Sequence, residues 1–154
     1  MTDNKITVER TINAPSDTIF EVLSNPDRHK DLDGSGFIQA VSKGDRISGV
    51  GDTFTMEMAG DHMGGEYRTD NHVVGYDPNR LLAWQTAPAG TEPKGWQWVW
   101  ELESQGSGQT LVRHTYDWEQ VRDEALLAKN LFPLVQQDQL EQSLQRLDQA
   151  VTGS

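Results

Sequence analysis

The chain has 154 residues, enough for one domain with a real core and too few for two ordinary ones. Its formal charge is −11, from 24 acidic and 13 basic side chains, and no run of basic residues occurs; this disfavours nucleic acid and anionic membrane surfaces as partners. It has no cysteine, which excludes disulfides and thiolate chemistry; no apolar run approaches the roughly 20 residues of a membrane span, and the start, MTDNKITVER, lacks an apolar leader. A cytoplasmic protein is expected.

In chain order, KITVERTI (5–12) alternates apolar and polar residues and predicts a strand. NAPSDTIFEVLSNP (13–26) changes to helical spacing, with Pro15 suited to the first turn and Ile19, Phe20, Val22 and Leu23 on one face; Asn25-Pro26 ends it. A second short helix or turn follows at 27–33. From 37 to about 119 the pattern is strand after strand: 37–43, 51–60, 65–76, a strand through Leu82 and Trp84, 95–104 and 110–118. Turns rich in Asp, Pro, Asn and Gly separate them, so neighbours should pair antiparallel. Leu140, Leu144, Leu147 and Val151 then form one stripe of a C-terminal helix. Pro133 starts or kinks that helix, leaving 123–132 as a separate helical piece or a loop. The whole is an α+β domain with no internal repeat and no linker.

These residues resemble the START-like, or Bet v 1-like (SRPBCC), superfamily, in its bacterial polyketide cyclase/dehydrase and lipid-transport branch. ITVERTINAPSDTIFEVLSNPDRH is similar to the family's first strand, Ala-Pro and apolar helix. GVGDTFTMEM is similar to its Gly-led strand, YDPNRLLAW to its Asp-Pro hairpin, and WVWELESQGSGQTLVRHTYDW to its last hairpin. The chain departs from the pattern at KDLDGSG (30–36), where the family often carries a tryptophan. The resemblance covers nearly the whole chain and implies a single START-like domain over 1–154, with its core at about 4–151. It implies a helix-grip fold: a curved antiparallel sheet of about seven strands around a long C-terminal helix, two short helices after the first strand, and a cavity between sheet and helix. Fold alone does not assign activity.

The segment KGWQWVWELES (94–104) puts Trp96, Trp98, Trp100 and Leu102 on one face and Gln97, Val99, Glu101 and Glu103 on the other. The polar set makes the first face the inner one. The same parity turns His114, Tyr116 and Trp118 inward from the next strand. Buried aromatics each remove about 150–250 Å² from water, reason enough for a filled core, yet indole N–H and phenol O–H groups need partners when buried. Lining a ligand cavity and filling the core both remain open. On the facing strands, Met56 and Met58 supply a soft wall; Tyr67, Thr69 and Asn71 lie on one parity as polar anchors, and a one-residue slip at Gly64-Gly65 would exchange them with Glu66, Arg68, Asp70 and His72. Trp84, Phe132 and Leu140 complete the candidate ligand-binding set.

His114 is the candidate acid–base group, with Tyr116 beside it; a hydrogen-bonded structural histidine is the alternative. No serine or cysteine nucleophile with an evident base accompanies them. DLDGSG (31–36) has the start of a calcium loop but Ser42 at the twelfth place, where a bidentate Glu is required, so it reads as a loop and a possible lid. The four histidines lack zinc spacing, and GVGDTF (49–54) leads into a strand rather than a helix, so neither metal nor dinucleotide cofactor is expected. The leading expectation is a binder of a hydrophobic small molecule, whether lipid, polyketide or aromatic. Alternatives are an aromatase/cyclase- or dehydratase-like enzyme on a polyketide-type substrate, with His114 and Tyr116 moving protons, and a protein-interaction module like the chaperone-cofactor relatives. The oligomeric state is left open.

Overall fold

A computed structural model describes residues 5–33, 38–43, 46–60, 65–93, 95–106, 108–119, 121 and 136–152. Strand β1 (Lys5–Ile12) leads into helix α1 (Ser16–Leu23), a 3-10 turn at Pro26–Arg28 and the short helix α2 (His29–Leu32). Six further strands follow: β2 (Ile38–Lys43), β3 (Thr53–Gly60), β4 (Gly65–Asp77), β5 (Leu81–Pro88), β6 (Gln97–Ser104) and β7 (Thr110–Asp117). The C-terminal helix, here α3, is Gln137–Thr152. The predicted elements are all present within a residue or two, apart from 123–132 and Pro133, which lie outside the described residues, as do 34–36 of the loop expected at 31–36; Asp31 and Leu32 of that stretch belong to α2 instead.

The seven strands form one antiparallel sheet in the order β1-β7-β6-β5-β4-β3-β2. Each consecutive pair from β2 to β7 is antiparallel and adjacent in the sheet, while β1 pairs not with its successor but with β7. In the β4–β5 turn Pro78 sets the first corner, and Asn79 takes the left-handed conformation (φ 68°) that Asn tolerates better than most residues. The Arg80 N–H donates to Asp77 O at 2.9 Å to close the turn.

Helix α1 ends without leaving carbonyls idle, although its last turn carries no basic residue. The Ser24 N–H donates to Phe20 O, and Arg46 Nη1 reaches Glu21 O at 2.7 Å. Asn25 N–H takes Val22 O, and His29 Nε2–H takes Leu23 O at 2.7 Å. These are the groups a helix C-terminus exposes, and burying them unpaired would be costly. The demand of Leu23 O draws His29 into the interior.

Helix α3 lays its buried stripe, Leu140, Leu144 and Leu147, chiefly on β1, α1 and α2, with lighter contact to β7. At about 25 cal/mol per Å² this stripe anchors the helix without any specific polar contact. An ion pair from Arg10 Nε to Asp148 Oδ2 (2.8 Å) fixes it beside the edge strand. The core is the space enclosed by α3, α1, α2 and the inner face of the sheet. No helix among the described residues is long and apolar enough to cross a membrane.

Candidate functional site

Register determines what the inner face presents. One row across the sheet reads Ile6, Tyr116, Trp98, Trp84 and Val73 on β1, β7, β6, β5 and β4. The next reads Val8, His114, Trp100 and Leu82. Because successive residues of a strand point to opposite faces, each row is a line of side chains stacked over the core. Trp98 lies flat on Tyr116, with ring centres 4.3 Å apart and planes at 11°. Trp100 lies flat on His114 at 3.7 Å and 16°. Tyr116 also leans on Trp118 at 5.1 Å.

The sequence therefore orients this set correctly. Trp84, Trp96, Trp100, His114, Tyr116 and Trp118 are buried, as are Met56 and, from α3, Leu140. Trp98, Met58 and Tyr67 are on the same inner face but only partly buried. Phe132 lies outside the described residues.

A polar relay runs sideways from Trp98. Its indole Nε1–H donates to Thr86 Oγ1 at 3.1 Å, and the Thr86 hydroxyl donates to Asn71 Oδ1 at 2.6 Å. The Asn71 amide Nδ2 donates to Phe54 O at 3.2 Å. Thr86 and Asn71 are opposite each other on β5 and β4, and both are buried. Such a chain of neutral bonds satisfies buried polar groups without the cost of a buried charge.

Two histidines sit in this interior and both are held neutral. His114 Nδ1 lies 3.2 Å from Val99 O. A carbonyl only accepts, so Nδ1 carries the proton and Nε2 keeps a lone pair. Burial pushes its pKa down to about 3, the bond to Val99 opposing this only in part. His29 is stacked on Trp84 (5.0 Å, 15°) and faces the edge of Phe54 (5.2 Å). Burial likewise lowers it to about 4, against the bond to Leu23 O and the nearby Asp33 carboxylate. The Tyr67 phenol is pushed up to about 12, first by burial and then by Asp33. At neutral pH both imidazoles and the Tyr67 phenol are uncharged.

Sequence reasoning missed His29 and Thr86. His29 belongs to a turn whose composition reads as exposed, and only the need to cap Leu23 O carries it inside. Thr86 was legible in principle, since it shares its parity with Leu82 and Trp84.

The sequence profile of the family described as polyketide cyclase / dehydrase and lipid transport matches residues 3–152. The chain belongs to this family. An uncharacterized protein of Mycobacterium tuberculosis is 33% identical over 105 residues, which are 68% of this chain and 43% of that one. The chain thus spans under half the length of the curated relatives it matches. Among solved structures, protein Ms6760 of Mycobacterium smegmatis superposes with a TM-score of 0.68 at 14% identity, covering 97% of this chain and 92% of that one. The Aha1 dimer of Colwellia psychrerythraea gives 0.61 at 23% identity, covering 98% and 96%. At such identities these likenesses establish the helix-grip fold alone.

Proposed function

We propose that this family member binds a flat, largely apolar small molecule against the inner face of its sheet, under the C-terminal helix. The observation that carries this reading is Trp98. It stands in the middle of a seven-stranded inner face, among buried aromatics, and yet stays partly exposed with its N–H committed sideways to Thr86. A large indole left partly uncovered in a core gives up burial worth about 25 cal/mol per Å², which a stacked ligand would recover. The family's description, polyketide cyclase / dehydrase and lipid transport, supports an apolar ligand class.

The alternative is catalysis: a polyketide-type chain folded by the same surface, with His114 and Tyr116 moving protons. Their proximity favours it, since His114 stacks on Trp100 and Tyr116 on the adjoining Trp98. The low pKa of His114 weighs against its acting as a base near pH 7. Binding is therefore the reading we adopt.

Titration with a panel of planar aromatics and fatty acids should quench tryptophan fluorescence saturably. Trp98→Ala should weaken the best ligand at least tenfold while leaving the far-UV spectrum unchanged. A flat response across the panel overturns the binding reading. Turnover of a polyketide-like substrate that disappears in His114→Ala, with binding retained, would replace it by the catalytic one.

A further inference from the structure

Thr69 sits on the inner face of β4, two residues before Asn71, with Met56 of β3 on one side and Pro88 of β5 on the other. It is 6% exposed, and its hydroxyl oxygen is fully buried with no hydrogen-bond partner. Buried hydroxyls are almost always bonded, so an idle one needs a reason. The neighbouring polar groups do not supply a partner: Thr86, Asn71 and Trp98 are bonded among themselves and to Phe54 O. Pro88 has no N–H to give, and Met56 offers only a weak thioether acceptor. A water lodged there would need two or more polar partners, and the neighbouring Thr86, Asn71 and Trp98 groups are already committed to one another.

We propose that Thr69 Oγ1 is a recognition point for an oxygen on the bound molecule, a ring hydroxyl or carbonyl, and so selects oxygenated aromatics over hydrocarbons of the same shape. The inference rests on the inner face being the ligand site. The polar strip of Thr86, Asn71 and Thr69 begins at Trp98 and crosses two adjacent strands. A flat ring system stacked near Trp98 would meet the ring faces of Tyr116 and His114 on one side and this strip on the other. There the relay is already closed upon itself, and the Thr69 hydroxyl alone remains to be answered. A hydroxyl can donate to a carbonyl or accept from a phenol, so either oxygen suits it. A pure hydrocarbon leaves it unanswered, which is how a site built around a hydrogen bond rejects an isostere lacking one.

The test pairs β-naphthol with β-methylnaphthalene, which differ by a hydroxyl in place of a methyl, in equilibrium dialysis against the full chain. Wild type should prefer β-naphthol about tenfold, the worth of one good hydrogen bond. Thr69→Val should abolish that preference while leaving β-methylnaphthalene binding unchanged, and Thr69→Ser should keep it. Without ligand, Thr69→Val removes only an idle hydroxyl, so its Tm should hold or rise. Equal binding of both compounds by wild type, a preference that survives Thr69→Val, or a fall in the Tm of the free variant would each overturn the proposal and leave the binding site standing. If wild type binds neither compound, the ligand site itself fails, and this inference falls with it.

Discussion

The two faces of the sheet are built from the same strands, one residue apart, and they manage polar groups in opposite ways. On the outer face the ion pairs lie open to water, although His72 Nε2 there is buried without a partner. Arg113 bridges Glu9 (2.6 Å) and Glu103 (3.2 Å) across three strands, and Arg68 lies 3.6 Å from Glu57. On the inner face they are neutral, directional and chained: Trp98 to Thr86 to Asn71 to Phe54 O, with His114 on Val99 O and His29 on Leu23 O. Water screens the outer pairs and lets them exchange partners at little cost. Inside, every unmade bond is felt in full. The same substitution chemistry should therefore read very differently on the two faces.

The largest contrast is expected from acid. His29 and His114 titrate near 6.5 in the unfolded chain and are held at about 4 and about 3 in the fold. Below pH 6.5 the unfolded chain takes up protons that the folded one refuses, so their share of stability is complete above that pH. It is lost progressively as pH falls toward the folded values. At pH 5 each histidine should have cost about 2 kcal/mol, about 4 together. Urea unfolding at a series of pH values measures the slope, and His29→Gln, which keeps an N–H for Leu23 O, should remove close to half of it.

Cutting the relay comes next. Thr86→Val takes away both the acceptor of the Trp98 N–H and the donor to Asn71 Oδ1, stranding the buried Asn71 amide oxygen and the partly buried indole N–H. A loss of about 1–3 kcal/mol is expected, with a changed tryptophan emission maximum as the indole N–H loses its partner. Thermal unfolding followed by fluorescence reads both.

The smallest effect belongs outside. Arg113→Ala severs two ion pairs at once, but Glu9, Glu103 and Arg113 itself are all substantially solvated. The shift in Tm should be smaller than for either inner change and should shrink further in about 1 M salt, where the Debye length falls to about 3 Å. A large, salt-resistant loss would mean that the outer face is not the wet surface described.

Much of the architecture was legible from side-chain period alone. Alternation in 5–12, 53–60, 97–104 and 110–117 fixes which residues share a face, whatever the strands pair with, because the pleat has a period of two. Gln97, Glu101 and Glu103 were enough to turn the tryptophans inward, and the spacing of Leu140, Leu144 and Leu147 was enough to define the buried stripe of α3. The inward parity of Tyr67, Thr69 and Asn71 was also readable. It depends on register, because a one-residue slip at Gly64-Gly65 exchanges that set with Glu66, Arg68, Asp70 and His72.

Period does not say which inward residues meet. That Trp98 lies on Tyr116 and Trp100 on His114 follows from the β6–β7 register, a relation between residues 18 and 14 positions apart along the chain but adjacent in the sheet. That Trp98 finds Thr86, and Thr86 finds Asn71, needs the β4–β5 and β5–β6 pairings together. His29 is buried only because α1 ends beside it with a carbonyl to satisfy. Sequence by itself determined the faces, since parity is a local property of the backbone. The tertiary structure decided the partners, since a hydrogen bond or a stacked pair depends on distances that only pairing and packing set. It also decided which polar groups, Thr69 foremost, were buried without one.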